Sequence, residues 1–137
     1  MPAKVHLETP NQKGKLMGTK RFIVEIGTGA DLHGEDVTKA ACRAVKDAIS
    51  RSCLCGLVEI LGIEDLKAIQ VDILVACPKP DKVDLEQVMA TVPIGQKTAR
   101  AVEGGMNAKG LCVPNFAPDC DQIVVANAAV TVFIRRA

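Results

Sequence analysis

Apolar positions recur along this 137-residue chain with two distinct periods. From Val37 to Ile49 they fall at Val37, Ala40, Ala41, Ala44, Val45, Ala48 and Ile49, one continuous stripe at helical spacing. The stripe predicts a helix from about Asp36 to Ser52, with Lys39, Arg43, Lys46 and Asp47 off the apolar face. Its small alanines would let the helix sit close to a sheet. Upstream, residues 20–27 predict a first strand, in which Phe22, Val24 and Ile26 alternate with Arg21 and Glu25. Ile23 breaks that alternation, which points to cover on both faces. Residues 68–77 predict a second strand, stopped by Pro78 and Pro80 because proline cannot donate to a ladder. A short helix over Leu57 to Leu61 should end at Gly62. A longer one over Asp84 to Val92 presents Leu85, Val88 and Met89 on its apolar side. Residues 97–103 predict a third strand. Gln122 to Arg135, long and β-branched, reads as a buried final strand, bent near Asn127.

Strand, helix, strand, helix and then two strands describe an α/β (α+β) two-layer sandwich, β-α-β-α-β-β, with helices on a mixed sheet. Residues 1–19 show no period and carry Pro2, Pro10, Gly14 and Gly18; they read as a flexible arm before a single domain over residues 20–137. The apolar fraction of 48% supplies a real core, built from small and β-branched side chains with three Phe as the aromatics. Helices on one side leave the other sheet face bare. In a chain of this length a homo-oligomer is the simplest cover.

Charge and cysteine content narrow the function classes. The formal net charge is +1 with both signs interspersed, and stacking aromatics are scarce, so a nucleic-acid partner is not expected. Lys4, Lys13, Lys15, Lys20 and Arg21 read as a solvated tail. No apolar run approaches the roughly 20 residues that span a bilayer, and no signal core opens the chain, so no membrane partner and a cytoplasmic location are expected. Six cysteines without a secretion signal read as reduced thiols, with Cys42 and Cys77 as small core residues.

The candidate chemistry gathers at Gly27-Thr28-Gly29-Ala30-Asp31-Leu32-His33-Gly34, read as a strand-to-helix turn. Glycines permit close backbone approach, and free N–H groups at a helix start can hold an anionic or carbonyl oxygen. Asp31 and His33 add a carboxylate and an imidazole, suited to general acid–base work or to two positions of a metal site; Glu35 and Asp36 extend the acidic group. With one histidine outside the arm, a metal is the lesser reading, and nothing names a cofactor. The plain alternative is a turn whose Gly and Asp serve geometry and capping alone. Gly104 and Gly105, with Lys109 nearby, form a second candidate ligand contact or else a bulge or hairpin turn. Asn127, inside an apolar strand, reads as a buried amide that bonds structurally or points at a ligand.

The octapeptide Gly-x-Gly-x-Asp-x-His-Gly carries a resemblance. With the blocks at residues 35–41, residues 43–49, Val102-Glu103-Gly104-Gly105-Met106 and residues 121–130, the chain resembles over residues 20–134 a family of conserved hypothetical proteins of bacteria and, with a transit extension, of plant plastids. This Lin-type family has no assigned activity. It is similar in fold to the C-terminal domain of tubulin and FtsZ, within the Bacillus chorismate mutase-like group, whose members form trimers or rings with sites between subunits. Ring-opening amidohydrolases resemble three such units in one chain, a likeness of fold only. The longer arm and the Cys53/Cys55 segment depart from typical members. Two functions follow as expectations. One is a hydrolase-type or proton-transfer enzyme acting on a small polar molecule, with Asp31 and His33 catalytic and Gly27, Gly29, Gly34, Lys39, Gly104, Gly105 and Asn127 binding. The other is a non-catalytic oligomeric binding or scaffold module.

Overall fold

The computed structural model describes residues 18–112, 114–115 and 121–135. Most of the expected arm and the loop around Phe116, Pro118 and Cys120 lie outside them. The first strand, β1 (Thr19–Asp31), outruns the expected 20–27 because most of the glycine segment is paired in the sheet. Thr28, Gly29, Ala30 and Asp31 stand opposite Asn127, Ala126, Val125 and Val124. Helix α1 (Val37–Ile49) follows, started by Asp36, whose carboxylate accepts the Lys39 N–H at 3.0 Å. A one-turn helix α2 (Cys55–Glu59) comes next, with Gly62 beyond it at φ +66°, as expected for a residue ending a helix. Then come β2 (Gln70–Cys77), α3 (Leu85–Ala90), β3 (Gln96–Glu103), β4 (Met106–Lys109) and β5 (Gln122–Arg135).

These strands form a five-stranded mixed sheet in the order β1-β5-β2-β3, and β4 pairs with β5. β5 runs antiparallel to β1, β2 and β4, whereas β2 and β3 are parallel. The two-layer α+β architecture expected from the pattern is therefore present, with one strand more. β4 is too short and too polar to announce itself by alternation. β5 passes Asn127 without a register shift. Only one of its faces is closed: Val124, Ala126, Ala128, Val130 and Val132 are buried, and the residues between them are not.

All helices lie on that closed face. Val37, Ala40, Ala41, Ala44, Val45 and Ala48 of α1 meet Ile73, Val75 and Cys77 of β2 and the buried set of β5 in one core. Burying a Val, Leu or Ile side chain fully contributes roughly 1.5–3 kcal/mol, so this face carries the stability. Cys77 belongs to the core, and burial pushes its thiol up to about 11.

β1 departs from its expected phase. Its register slips between Arg21 and Ile23, so Phe22 and Ile23 both pack against the core. The broken alternation is thus the mark of a bulge and not of cover on both faces. Beyond the bulge, Glu25, Gly27 and Asp31 turn inward and are buried, while Val24 and Ile26 turn outward, 45% and 61% exposed.

Candidate functional site at the carboxyl edge of the sheet

β1, β2 and β3 point the same way, because β5 is antiparallel to the first two and β3 is parallel to β2. Their carboxyl ends therefore share one edge, the usual location for ligands in open α/β sheets. Three connections gather there: residues 32–36, residues 78–84 and the pair Gly104-Gly105. The starts of α1 and α3 are tied together at this edge. The Asp84 N–H donates to Thr38 Oγ1 at 2.9 Å, and the Thr38 hydroxyl reaches the Lys82 carbonyl at 3.5 Å.

Asp31 ends β1 as a buried carboxylate, 3% exposed. Its Oδ2 accepts the Asp36 N–H at 2.9 Å, and Arg43 Nη1 lies 3.8 Å from its Oδ1. Arg43 also donates to the Ala30 carbonyl at 2.7 Å. These bonds close residues 32–36 into a held loop. The loop contains Gly34 at φ +105° and Glu35 at φ +52°, left-handed backbone that a non-glycine residue adopts at a cost. A Cβ on Gly34 would meet Asp31 Oδ2 at an ordinary 3.6 Å, so the dihedral and not crowding selects glycine. His33 sits half-buried on this loop. Lys39 lends its backbone N–H to the Asp36 cap and exposes its side chain.

Gly27 and Gly29 are placed differently from the expected cradle. They lie in β1 beneath α1, and a Cβ at Gly27 would stand 2.3 Å from the Ala44 carbonyl oxygen and from the Ala48 nitrogen. At Gly29 it would stand 2.4 Å from the Ala44 nitrogen. The backbone that approaches these glycines so closely belongs to the helix. Between them, the Thr28 N–H donates to Asp47 Oδ2 at 2.9 Å, which together with Arg51 holds the Asp47 carboxyl below its ordinary range. Asp47 thus closes a donor on the edge strand; the pattern marks it only as a polar residue off the helix stripe.

Gly104 and Gly105 join β3 to β4, which run in the same direction and pair with different strands, β2 and β5, so the junction is not the hairpin turn expected as one alternative. Asn127 is exposed, opposite Thr28 on one side and Ala76 on the other, and is not the buried amide expected. The structure therefore sorts the candidates into three places. Asp31, His33, Gly34 and Lys39 surround the start of α1. Gly27 and Gly29 lie under α1. Gly104, Gly105 and Asn127 adjoin Ala76 toward the bare face of the sheet. Among the described residues, no three His, Cys, Asp or Glu side chains converge in a metal-binding cluster. Nor is any helix among them long and apolar enough to cross a membrane.

The model of the family described as "Conserved hypothetical protein (Lin0512_fam)" matches residues 21–132. The chain belongs to this family. The matched stretch runs from β1 through most of β5. Among solved structures, the chain is similar to an FtsZ-like protein of unknown function from Nostoc punctiforme. That protein is 39% identical with a TM-score of 0.79, over 87% of this chain and 98% of the other. The fold of this family member is thus FtsZ-like. No curated protein matches the chain.

Proposed function

We propose that this family member is a self-associating module, in which the bare sheet face of one copy docks on a second copy. The observation that carries this reading is the outward turn of β1 beyond its bulge. Val24 and Ile26 are exposed, and pairing sets them in rows with Ala129 and Thr131 of β5 and with Asp72 and Leu74 of β2. An exposed apolar sheet face is a docking surface or a liability. Its charges suit a second copy. Arg100 lies beside Leu74, and its Nε is buried with no hydrogen-bond partner among the described residues. Asp72 stands on the same face, one Oδ already bonded to Thr98 at 3.0 Å. A two-fold axis through the apolar rows would bring Arg100 of one copy toward the acid of the other.

Ile26→Lys should weaken association at least about 100-fold, since burying an unpaired charge costs several kcal/mol. Glu64→Lys, at an exposed position away from this face, should leave it unchanged. Light scattering after size exclusion reads both. An unchanged mass for Ile26→Lys, or a monomeric parent protein, removes the reading.

A second reading places a small polar ligand at the carboxyl edge, favoured by the strained loop that holds His33. Proton transfer there would fall to His33, because Asp31 is committed to the Asp36 N–H and acts by holding the loop. A panel of cyclic amides and ureides tests it. Loss of turnover by roughly 10²–10⁴-fold in His33→Ala, with assembly intact, is the expected result. Equal turnover in the variant removes His33 from the mechanism, and no turnover by either protein leaves the module without this chemistry.

A further inference from the structure

A cavity of about 380 Å³ opens at the far end of the helix layer, away from the carboxyl edge and independent of the reading above. Its walls are apolar, formed by Ile49, Leu57, Val71, Ile94, Val130 and Val132 among others. One carboxyl group stands in them. Glu25 is 7% exposed, and its Oε2 is buried with no hydrogen-bond partner among the described residues. Ser52, also in the lining, bonds the same side chain. Among the described residues, no lysine or arginine lines the cavity.

A carboxyl group buried without a cation is costly, and burial here raises its pKa above the ordinary value. A leucine at this position would pack with its neighbours at no such cost. Pockets of a few hundred Å³ with apolar walls and one convergent polar group are the usual form of small-molecule sites. The exposed side chains of Cys53, Cys55 and Val58 among the lining residues mark the mouth, and Ile60 and Leu61 continue an apolar rim beyond it.

The geometry points to this cavity as a binding site for a small organic cation, an amine with an apolar body whose charged nitrogen meets Glu25. The apolar part fills the space between α2 and the sheet. The ammonium group donates to the Oε2 atom, which has no partner among the described residues. Charge decides selectivity: a neutral analogue of the same body loses the ion pair, and an anionic one meets the Glu25 carboxylate with no positive group among the described lining residues.

Calorimetric titration of the full chain with phenethylamine, phenethyl alcohol and hydrocinnamate tests this. Phenethylamine should bind about tenfold or more tightly than the alcohol, and hydrocinnamate should not bind. Glu25→Gln should lower amine affinity by about tenfold or more and leave the alcohol within about threefold. It should also melt no lower than the parent protein, because it removes a buried charge and not a packing contact. If Glu25→Gln does not fold, Ile94→Phe, which adds bulk from the partly buried wall, should abolish amine binding. Equal binding of the three compounds, no amine binding at millimolar concentration, or an unchanged amine affinity in either folded variant overturns the assignment.

Discussion

Gly27→Ala is expected to lower the stability of the protein by about 3 kcal/mol or more, the upper range for forcing an atom into a packed interior. The added methyl would stand 2.3 Å from the Ala44 carbonyl oxygen, 2.3 Å from the Ala48 nitrogen and 2.8 Å from its Cα. All three are helix backbone atoms and have no rotamer to adopt. Neither partner can retreat cheaply. β1 is held by unbroken pairing with β5 from Ile23 to Asp31, and the stripe of α1 is fully engaged in the core. Gly29→Ala meets the same obstacle at the Ala44 nitrogen. Urea unfolding followed by circular dichroism reads the loss. A ligand-binding role for these glycines predicts the reverse pattern, a stable variant that no longer binds. A shift below about 1 kcal/mol would therefore discard the packing explanation.

Gly105→Ala should cost about 2 kcal/mol or more, most of it where β3 passes into β4. Two effects add. Gly105 has φ +61°, which L side chains rarely adopt, and its Cβ would stand 2.0 Å from the Val125 carbonyl oxygen. That carbonyl belongs to the residue paired with Met106, so relief of the clash means detaching β4 from β5. Amide hydrogen exchange locates the damage. Faster exchange at residues 106–109 with α1 unchanged is the expected outcome, and unaltered protection of β4 would contradict it. Since the close passage over the Val125 carbonyl accounts for the glycine, any ligand role for this pair has to be shown by binding that is lost in a variant with β4 still in place.

The candidate residues show how far the one-dimensional pattern reaches. Asp31 and Asp36 are legible as polar residues at a helix start, and Asp36 is the cap. That Asp31 reaches forward to the Asp36 N–H depends on a loop conformation with two successive left-handed residues, which no spacing rule specifies. Gly27 and Gly29 read as ligand-binding because glycine lets the backbone approach closely. Their actual constraint is a helix backbone that arrives from fifteen or so residues downstream, a distance at which local patterns are silent. Glu25 was legible only as the polar half of an alternation.

The sequence by itself determined the period of each element and where most of them stop. The 3.6-residue stripe is α1, the prolines after Cys77 end β2, and the β-branched run Gln122–Arg135 is β5. These follow from local physics: side-chain spacing, missing donors and capping geometry. Only the tertiary structure decided which side of β1 faces the core. A strand alternation has two equivalent phases, and a single bulge between Arg21 and Ile23 exchanges them. What chose the phase is the fit of α1 onto Gly27 and Gly29, because no other pair of β1 positions lets the helix come so close. That one choice turns Val24 and Ile26 out to an open face and Glu25 into a cavity.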